Sequence, residues 1–275
     1  MKKTFLSLVF LCLSLSSQSE ARQFEKVVII VLENTNEQQA ISHPYLKLLA
    51  DQGAYLSQMN GVIHPSQGNY IAMIAGDTFS INHDFKVDLD SNHIGDLLES
   101  KGRSWKVYAE GYPGNCFKGT SKGQYVRKHV PFMSMLNVST NPTRCANIVN
   151  SQEFFQDYYS NQLPDYSLFI PDNSNNGHDT GIDFAGAWLQ STFGGIFSNP
   201  IAMQNTLFII TFDESSNYFH NKIYTVFLGA SVLPGSKTNQ KLDHYSILKM
   251  IEIEWDLGHL GRKDATATLP QGIWR

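Results

Sequence analysis

The feature that most constrains this chain is an alternation of short apolar runs with amphipathic stretches. Five runs, Lys26–Leu32, Trp105–Ala109, Tyr166–Ile170, Leu207–Phe212 and Ile223–Leu228, are rich in β-branched or aromatic residues. Runs of this length and composition read as buried strands. Helical patterns lie between them and stop near glycine: Tyr45–Asp51 before Gly53, Ser66–Ala75 before Gly76, His93–Ser100 before Gly102 and His244–Asp256 before Gly258. Glycine adopts the left-handed conformation that closes a helix at least cost. Strands that are apolar throughout have no face to show to water. The pattern therefore predicts an α/β fold with a mostly parallel central sheet and helices on both faces.

Composition narrows the class further. At 275 residues and 42% hydrophobic, the chain is long and apolar enough to bury a core without staples. Its formal net charge of −4 offers no basic footprint for nucleic acid or an anionic membrane. The amino terminus reads as a leader: Lys2 and Lys3, an apolar run from Phe5 to Leu15, then Ser19-Glu20-Ala21. Residues 1–21 are expected to be a signal peptide and 22–275 a single domain, exported to the periplasm or beyond. The apolar run is shorter than the ~20 residues a membrane span needs, so no integral anchor is expected. Without the leader two cysteines remain, Cys116 and Cys145. In an exported chain they form either one disulfide closing a loop of about 30 residues or two buried thiols. That pair lies in a Gly-, Pro-, Asn- and Ser-rich excursion from Gly111 to Ser151.

Ligands of open α/β sheets bind beyond the carboxyl ends of the strands, and three strands here end in unusual polar groups. Lys26–Leu32 runs into Glu33-Asn34, and Leu207–Phe212 runs into Asp213-Glu214. Tyr166–Ile170 leads to Gly177-His178-Asp179. Acids at such ends either cap the following helices or gather round a hard divalent cation, because clustered carboxylates are costly without a shared proton or positive charge. Ser66, in His64-Pro65-Ser66-Gln67-Gly68-Asn69-Tyr70, is either an N-cap or a nucleophile at the positive end of a helix. No Gly-x-Ser-x-Gly elbow joins a strand to a helix, His178 and Asp179 are awkwardly adjacent for an acyl-transfer triad, and His-Glu-x-x-His or Cys-x-x-Cys zinc spacings are absent.

Taken in order, these segments resemble one family. They are Val-Leu-Glu-Asn (31–34), His-Pro-Ser-Gln-Gly-Asn-Tyr-Ile-Ala-Met-Ile-Ala-Gly (64–76), Ser-Trp-Lys-Val-Tyr-Ala-Glu (104–110), Arg-Lys-His-Val-Pro-Phe (127–132), Gly-His-Asp (177–179), Phe-Asp-Glu-Ser (212–215) and Asp-His-Tyr-Ser-Ile-Leu-Lys-Met-Ile-Glu (243–252). The family is the phosphoesterases that group acid phosphatases with non-specific, phosphocholine-type phospholipases C. The resemblance implies an alkaline-phosphatase-like fold and a divalent metal ion of unspecified identity on Glu33, Asn34, Asp213 and Glu214. It implies Ser66 as the catalytic nucleophile, with His178 and Asp179 contacting the phosphoryl oxygens or the leaving group. Asn69, His129 and His244 are implied as substrate-binding residues. An acid that many members carry before a Trp-Leu pair is missing from Gly186-Ala187-Trp188-Leu189; Asp183 is the nearest substitute.

The expected activity is metal-assisted hydrolysis of a phosphate monoester through a phosphoserine. The alternatives are a phospholipase C acting on phospholipid headgroups and a non-catalytic exported protein that binds phosphate ligands. The expected partner is a small phosphate ester or a phospholipid, with no nucleic acid and no protein partner implied. Tyr158, Tyr159, Phe193 and Phe197 are available either for lipid contact or for the core.

Overall fold

The computed structural model describes residues 23–275; the predicted signal peptide, with Cys12, lies outside the described residues. Eight strands form the main sheet: β1 (Lys26–Leu32), β2 (Ala54–Leu56), β3 (Trp105–Ala109), β4 (Ile148–Asn150), β5 (Tyr166–Ile170), β6 (Thr206–Phe212), β7 (Thr225–Leu228) and β8 (Ser236–Thr238). Their spatial order is β8-β2-β7-β6-β1-β5-β3-β4. All run parallel except β7, which is antiparallel to both β6 and β2. Val27 to Leu32 and all of β6 are buried, as central parallel strands covered on both faces must be. The excursion predicted from Gly111 to Ser151 returns to the sheet, because Ile148–Asn150 forms its edge strand β4. The disulfide between Cys116 and Cys145 is present, with their Cα atoms 5.6 Å apart.

The helices that matter here are α1 (Pro44–Gln52), α2 (Gln67–Ala75), α3 (Gln152–Tyr159), α4 (Ile182–Phe197) and α5 (His244–Glu254). Side chains alternate across a strand, and the alternation sorts these helices into layers. Tyr108 and Phe169 meet Phe154 of α3, and Phe169 also meets Phe193 of α4, with ring centroids 5.0–5.4 Å apart. From the other face Trp105 stacks on Phe132 at 4.5 Å. On that side α2 packs against α5 and against the turn carrying Phe132. Phe193 is thus in the core, and Phe197 packs on Phe208, so neither is open to a lipid; Tyr159 is exposed. Among the described residues no helix is long and apolar enough to cross a membrane.

Two glycines terminate helices for different reasons. Gly76 after α2 has a φ of 67°, the left-handed closure predicted for it. Gly53 after α1 is extended instead. A Cβ there would lie 2.2 Å from the Phe227 carbonyl oxygen, so it is close passage of β7 that excludes a side chain.

Candidate active site

Parallel pairing of β1 with β6 aligns Leu32 with Phe212, so the polar residues that follow both strands emerge side by side at one sheet edge. The chain turns sharply there. Asn34 has a φ of 41°, a conformation asparagine tolerates better than most residues. Its N–H donates to Asp213 Oδ1 at 3.2 Å. Helix α2 points its first turn at the same place. Ser66, just ahead of it, is helical (φ −45°, ψ −48°) and makes no side-chain cap. Its Oγ lies 3.1 Å from Glu214 Oε1, 3.2 Å from Glu33 Oε2 and 3.5 Å from Asn34 Oδ1. The hydroxyl is therefore turned away from the backbone N–H groups an N-cap would serve and into the acids. One of those N–H groups, that of Gln67, donates instead to Asp84 Oδ1 at 3.1 Å.

Ser66, Glu33, Asp213 and Glu214 are all buried. Burial, reinforced by the Asp213 charge, pushes the Glu33 carboxyl well above the ordinary carboxylate range. Burial also lifts Asp213 to about 6, against hydrogen bonding to backbone N–H groups, and burial with the Asp213 charge lifts Glu214 to about 8. Lys128 is the cation nearby. Burial opposes its charge, but Asp84, to which it is hydrogen-bonded, and Glu33 hold its pKa above the ordinary lysine value.

The donor set suits a hard divalent cation. Four oxygen-bearing side chains adjoin Ser66 or one another, and buried Asp213 Oδ2 has no hydrogen-bond partner, a condition that asks for an explanation. Among the described residues no three His, Cys, Asp or Glu side chains form a ready-made cage. Three of the four oxygen donors converge on Ser66 Oγ instead, so a bound cation and the hydroxyl would be neighbours.

The surrounding residues divide by distance. Tyr70, one turn along α2, donates its hydroxyl to Glu33 Oε1 at 2.7 Å and stacks on His129 at 5.1 Å. His129 Nε2 is 3.1 Å from the same oxygen but out of line for a hydrogen bond. Burial, reinforced by the Lys128 charge, holds His129 well below the usual imidazole range, so this ring is neutral. His244 Nε2 donates to the Asp213 carbonyl at 2.6 Å, and burial lowers its pKa to about 4. It sits behind the Asp213 backbone rather than facing a substrate. Asn69, also expected at the substrate, is fully buried and holds the loop before Ser66. Its Oδ1 accepts from Val62 N at 2.8 Å and Ile63 N at 3.2 Å, and its Nδ2 donates to Ile63 O at 2.7 Å. Both residues position the site.

His178 and Asp179 are exposed at the rim, and Nδ1 of the imidazole is 2.6 Å from Asp179 Oδ1. Adjacency in sequence is thus no obstacle to the carboxylate orienting the ring. Asp183 lies exposed in the first turn of α4. Gly119-Thr120-Ser121-Lys122-Gly123 does spell Gly-x-Ser-x-Gly. It falls on an exposed hairpin in which Ser121–Lys122 pairs with Tyr125–Val126, not on a strand-to-helix elbow.

Sequence reasoning assigned no role to His64, Tyr70 or Lys128. His64 is hydrogen-bonded through Nδ1 to Glu214 Oε2 and stacks on Tyr218 at 4.7 Å. Tyr70 had a signal, the i, i+4 spacing from Ser66 that puts both on one helix face. His64 and Lys128 had only their adjacency to assigned residues.

The fold, an α/β sandwich with acids after two adjacent parallel strands and a serine opening the helix beside them, is shared with solved structures at low identity. A protein in the alkaline phosphatase superfamily from Vibrio parahaemolyticus matches with a TM-score of 0.62 at 16% identity, covering 90% of this chain and 71% of that one. Murine ectonucleotide pyrophosphatase/phosphodiesterase 5 matches at 0.55 and 10% identity, covering 86% and 96%. The chain belongs to the Phosphoesterase family, whose model matches residues 31–258. A probable acid phosphatase of Kluyveromyces lactis is 39% identical over 92% of this chain and 63% of its own length. An acid phosphatase of Aspergillus fumigatus is 34% identical over 92% and 60%. A phosphatidylinositol-3-phosphatase of Mycobacterium tuberculosis is 34% identical over 86% and 79%. The chain spans about three-fifths of the length of the fungal relatives it matches.

Proposed function

We propose that this chain is an exported phosphate monoester hydrolase of the acid phosphatase type that uses Ser66 as nucleophile and a divalent cation held by Glu33, Asn34, Asp213 and Glu214. One observation carries the reading: Ser66 Oγ is buried, makes no cap and lies 3.1–3.5 Å from three of those four side chains. A serine placed only to start a helix would bond the backbone instead. The names of the fungal relatives agree with the reading. The Cys116–Cys145 disulfide and the leader-like residues 1–21 support export.

When bound, a hard divalent cation supplies Lewis acidity, lowering the pKa of an adjacent hydroxyl and offsetting phosphoryl charge. The chain's own groups do the rest. Glu214 Oε1, at 3.1 Å, is the nearest acceptor for the Ser66 proton. The Oγ–phosphorus bond forms as the ester oxygen–phosphorus bond breaks. The departing oxygen takes a proton from His178, whose ring Asp179 orients. Water then attacks phosphorus, giving a proton to the His178 ring, as the Oγ–phosphorus bond breaks; Oγ takes its proton back from Glu214, which releases inorganic phosphate and restores the Ser66 hydroxyl. Tyr70, stacked on His129, fixes the Glu33 carboxyl, and His244 fixes the Asp213 backbone.

The test pairs phenyl phosphate with an aryl phosphorylcholine diester, assayed with wild type and Ser66→Ala before and after chelation. The expected result is monoester hydrolysis that falls by about 10³-fold or more in Ser66→Ala. Chelation should abolish it and divalent metal restore it. Preferential diester cleavage would move the assignment to a phospholipase C. Vanadate binding without turnover would make the chain a binding protein.

A further inference from the structure

We propose that the cavity beside Ser66 is a leaving-group pocket selecting phosphate monoesters whose alcohol portion carries a second anionic group; this deepens the monoesterase reading above and rests on it. The cavity holds about 370 Å³, within the range of small-ligand sites. Three of its walls are chain neighbours of site residues. Gln67 follows Ser66, Lys128 precedes His129, and Asn173 belongs to the loop that ends in His178. The proposal places in this space the ester substituent of a phosphoryl group carried by Ser66 Oγ.

The walls are wrong for an acyl chain. Val126 is the one aliphatic lining residue, and the others carry hydroxyl, amide or charged groups, apart from Gly123. Lys86, Arg127 and Lys128 face one lining acid, Asp84. The three cations are not equally available. Arg127 is buried and committed to Val87 O at 3.1 Å, Asp88 Oδ1 at 2.6 Å and Met133 O. Lys128 is hydrogen-bonded to Asp84. Lys86 has only a loose pairing, 3.6 Å from Asp88, and its side chain is 41% exposed. An ammonium on a flexible stem with a long, shared partner can turn to an incoming carboxylate or phosphate. Ser121 and Asn173 add hydrogen-bonding groups for hydroxyls on the same ligand.

The experiment compares 3-phosphoglycerate with glycerol 3-phosphate, which match in length and differ in a carboxylate against a hydroxymethyl group. Wild type should favour the former in kcat/KM by about tenfold, through a lower KM, as a charge-assisted contact predicts. Lys86→Ala should bring the ratio close to one, and Lys86→Glu should invert it. Melting temperature should stay unchanged in both variants, and both should still hydrolyse phenyl phosphate. A wild-type ratio near one, or a ratio that neither variant moves, overturns the pocket assignment while leaving the monoesterase reading intact. Failure to hydrolyse phenyl phosphate as well would overturn that reading, and the pocket with it.

Discussion

Glu252 offers a test of the physical reasoning that does not depend on catalysis. It lies on α5 near the turn Lys263–Thr266 and is buried, with neither carboxyl oxygen hydrogen-bonded. Beside it is Asp264, whose oxygens accept from Leu260 N at 2.7 Å and Arg262 N at 2.8 Å. Burial first, and the Asp264 charge second, push Glu252 from 4.5 up to about 8. Below the unfolded pKa both states are protonated and the group adds no pH dependence. Between the two values the folded state retains a proton that the unfolded state has lost, so stability falls as pH rises. Above the folded pKa the loss is complete. At ~1.4 kcal/mol per pH unit the ceiling is about 5 kcal/mol. Discounted for solvent screening, the contribution is about 2–3 kcal/mol. Glu252→Gln keeps the shape and removes the charge. Melting temperatures of chelator-treated wild type and variant should coincide near pH 4. They should separate by about 5–10 °C at pH 8, the variant being the more stable. Every other titrating group is common to both proteins and cancels in the difference. Parallel melting curves across that range would refute the argument.

Two further predictions concern the framework of the site. Asn69→Ala takes a side-chain partner from each of Val62 N, Ile63 N and Ile63 O. Ile63 O keeps a second donor in Asn221 Nδ2 at 3.0 Å, so the two N–H groups set the cost, about 1–3 kcal/mol of stability in metal-free protein, read as a lower melting temperature. A variant that melts like wild type but loses affinity for phosphate would restore Asn69 to the substrate. Replacing both Cys116 and Cys145 by serine should destabilise by about 3–4 kcal/mol, seen as a lower melting temperature without reductant. Reductant should bring wild type to the same value, and a reductant-insensitive wild type would contradict a stabilising disulfide.

What the sequence determined by itself is the central layer and the chemistry at its edge. β1, β3 and β5 begin and end where their apolar runs do, because a strand buried on both faces must be apolar throughout. The acids following β1 and β6 stood out because charge directly after such a run needs a reason. Short strands were not legible. Ala54–Leu56, Ile148–Asn150 and Ser236–Thr238 are three residues each, and long-range pairing defines them more than local pattern does. The reversal of β7 was equally hidden, since periodicity carries no direction. The site divides the same way. Residue types and strand ends indicated Glu33, Asn34, Asp213 and Glu214, but Ser66 in isolation read first as a cap. Only the tertiary structure decided that its hydroxyl turns into the acids, that Asn69 and His244 brace backbone, and that Asp179 can orient its own neighbour. Hydrogen-bond direction is set by where elements from distant parts of the chain dock, and no local pattern encodes that docking.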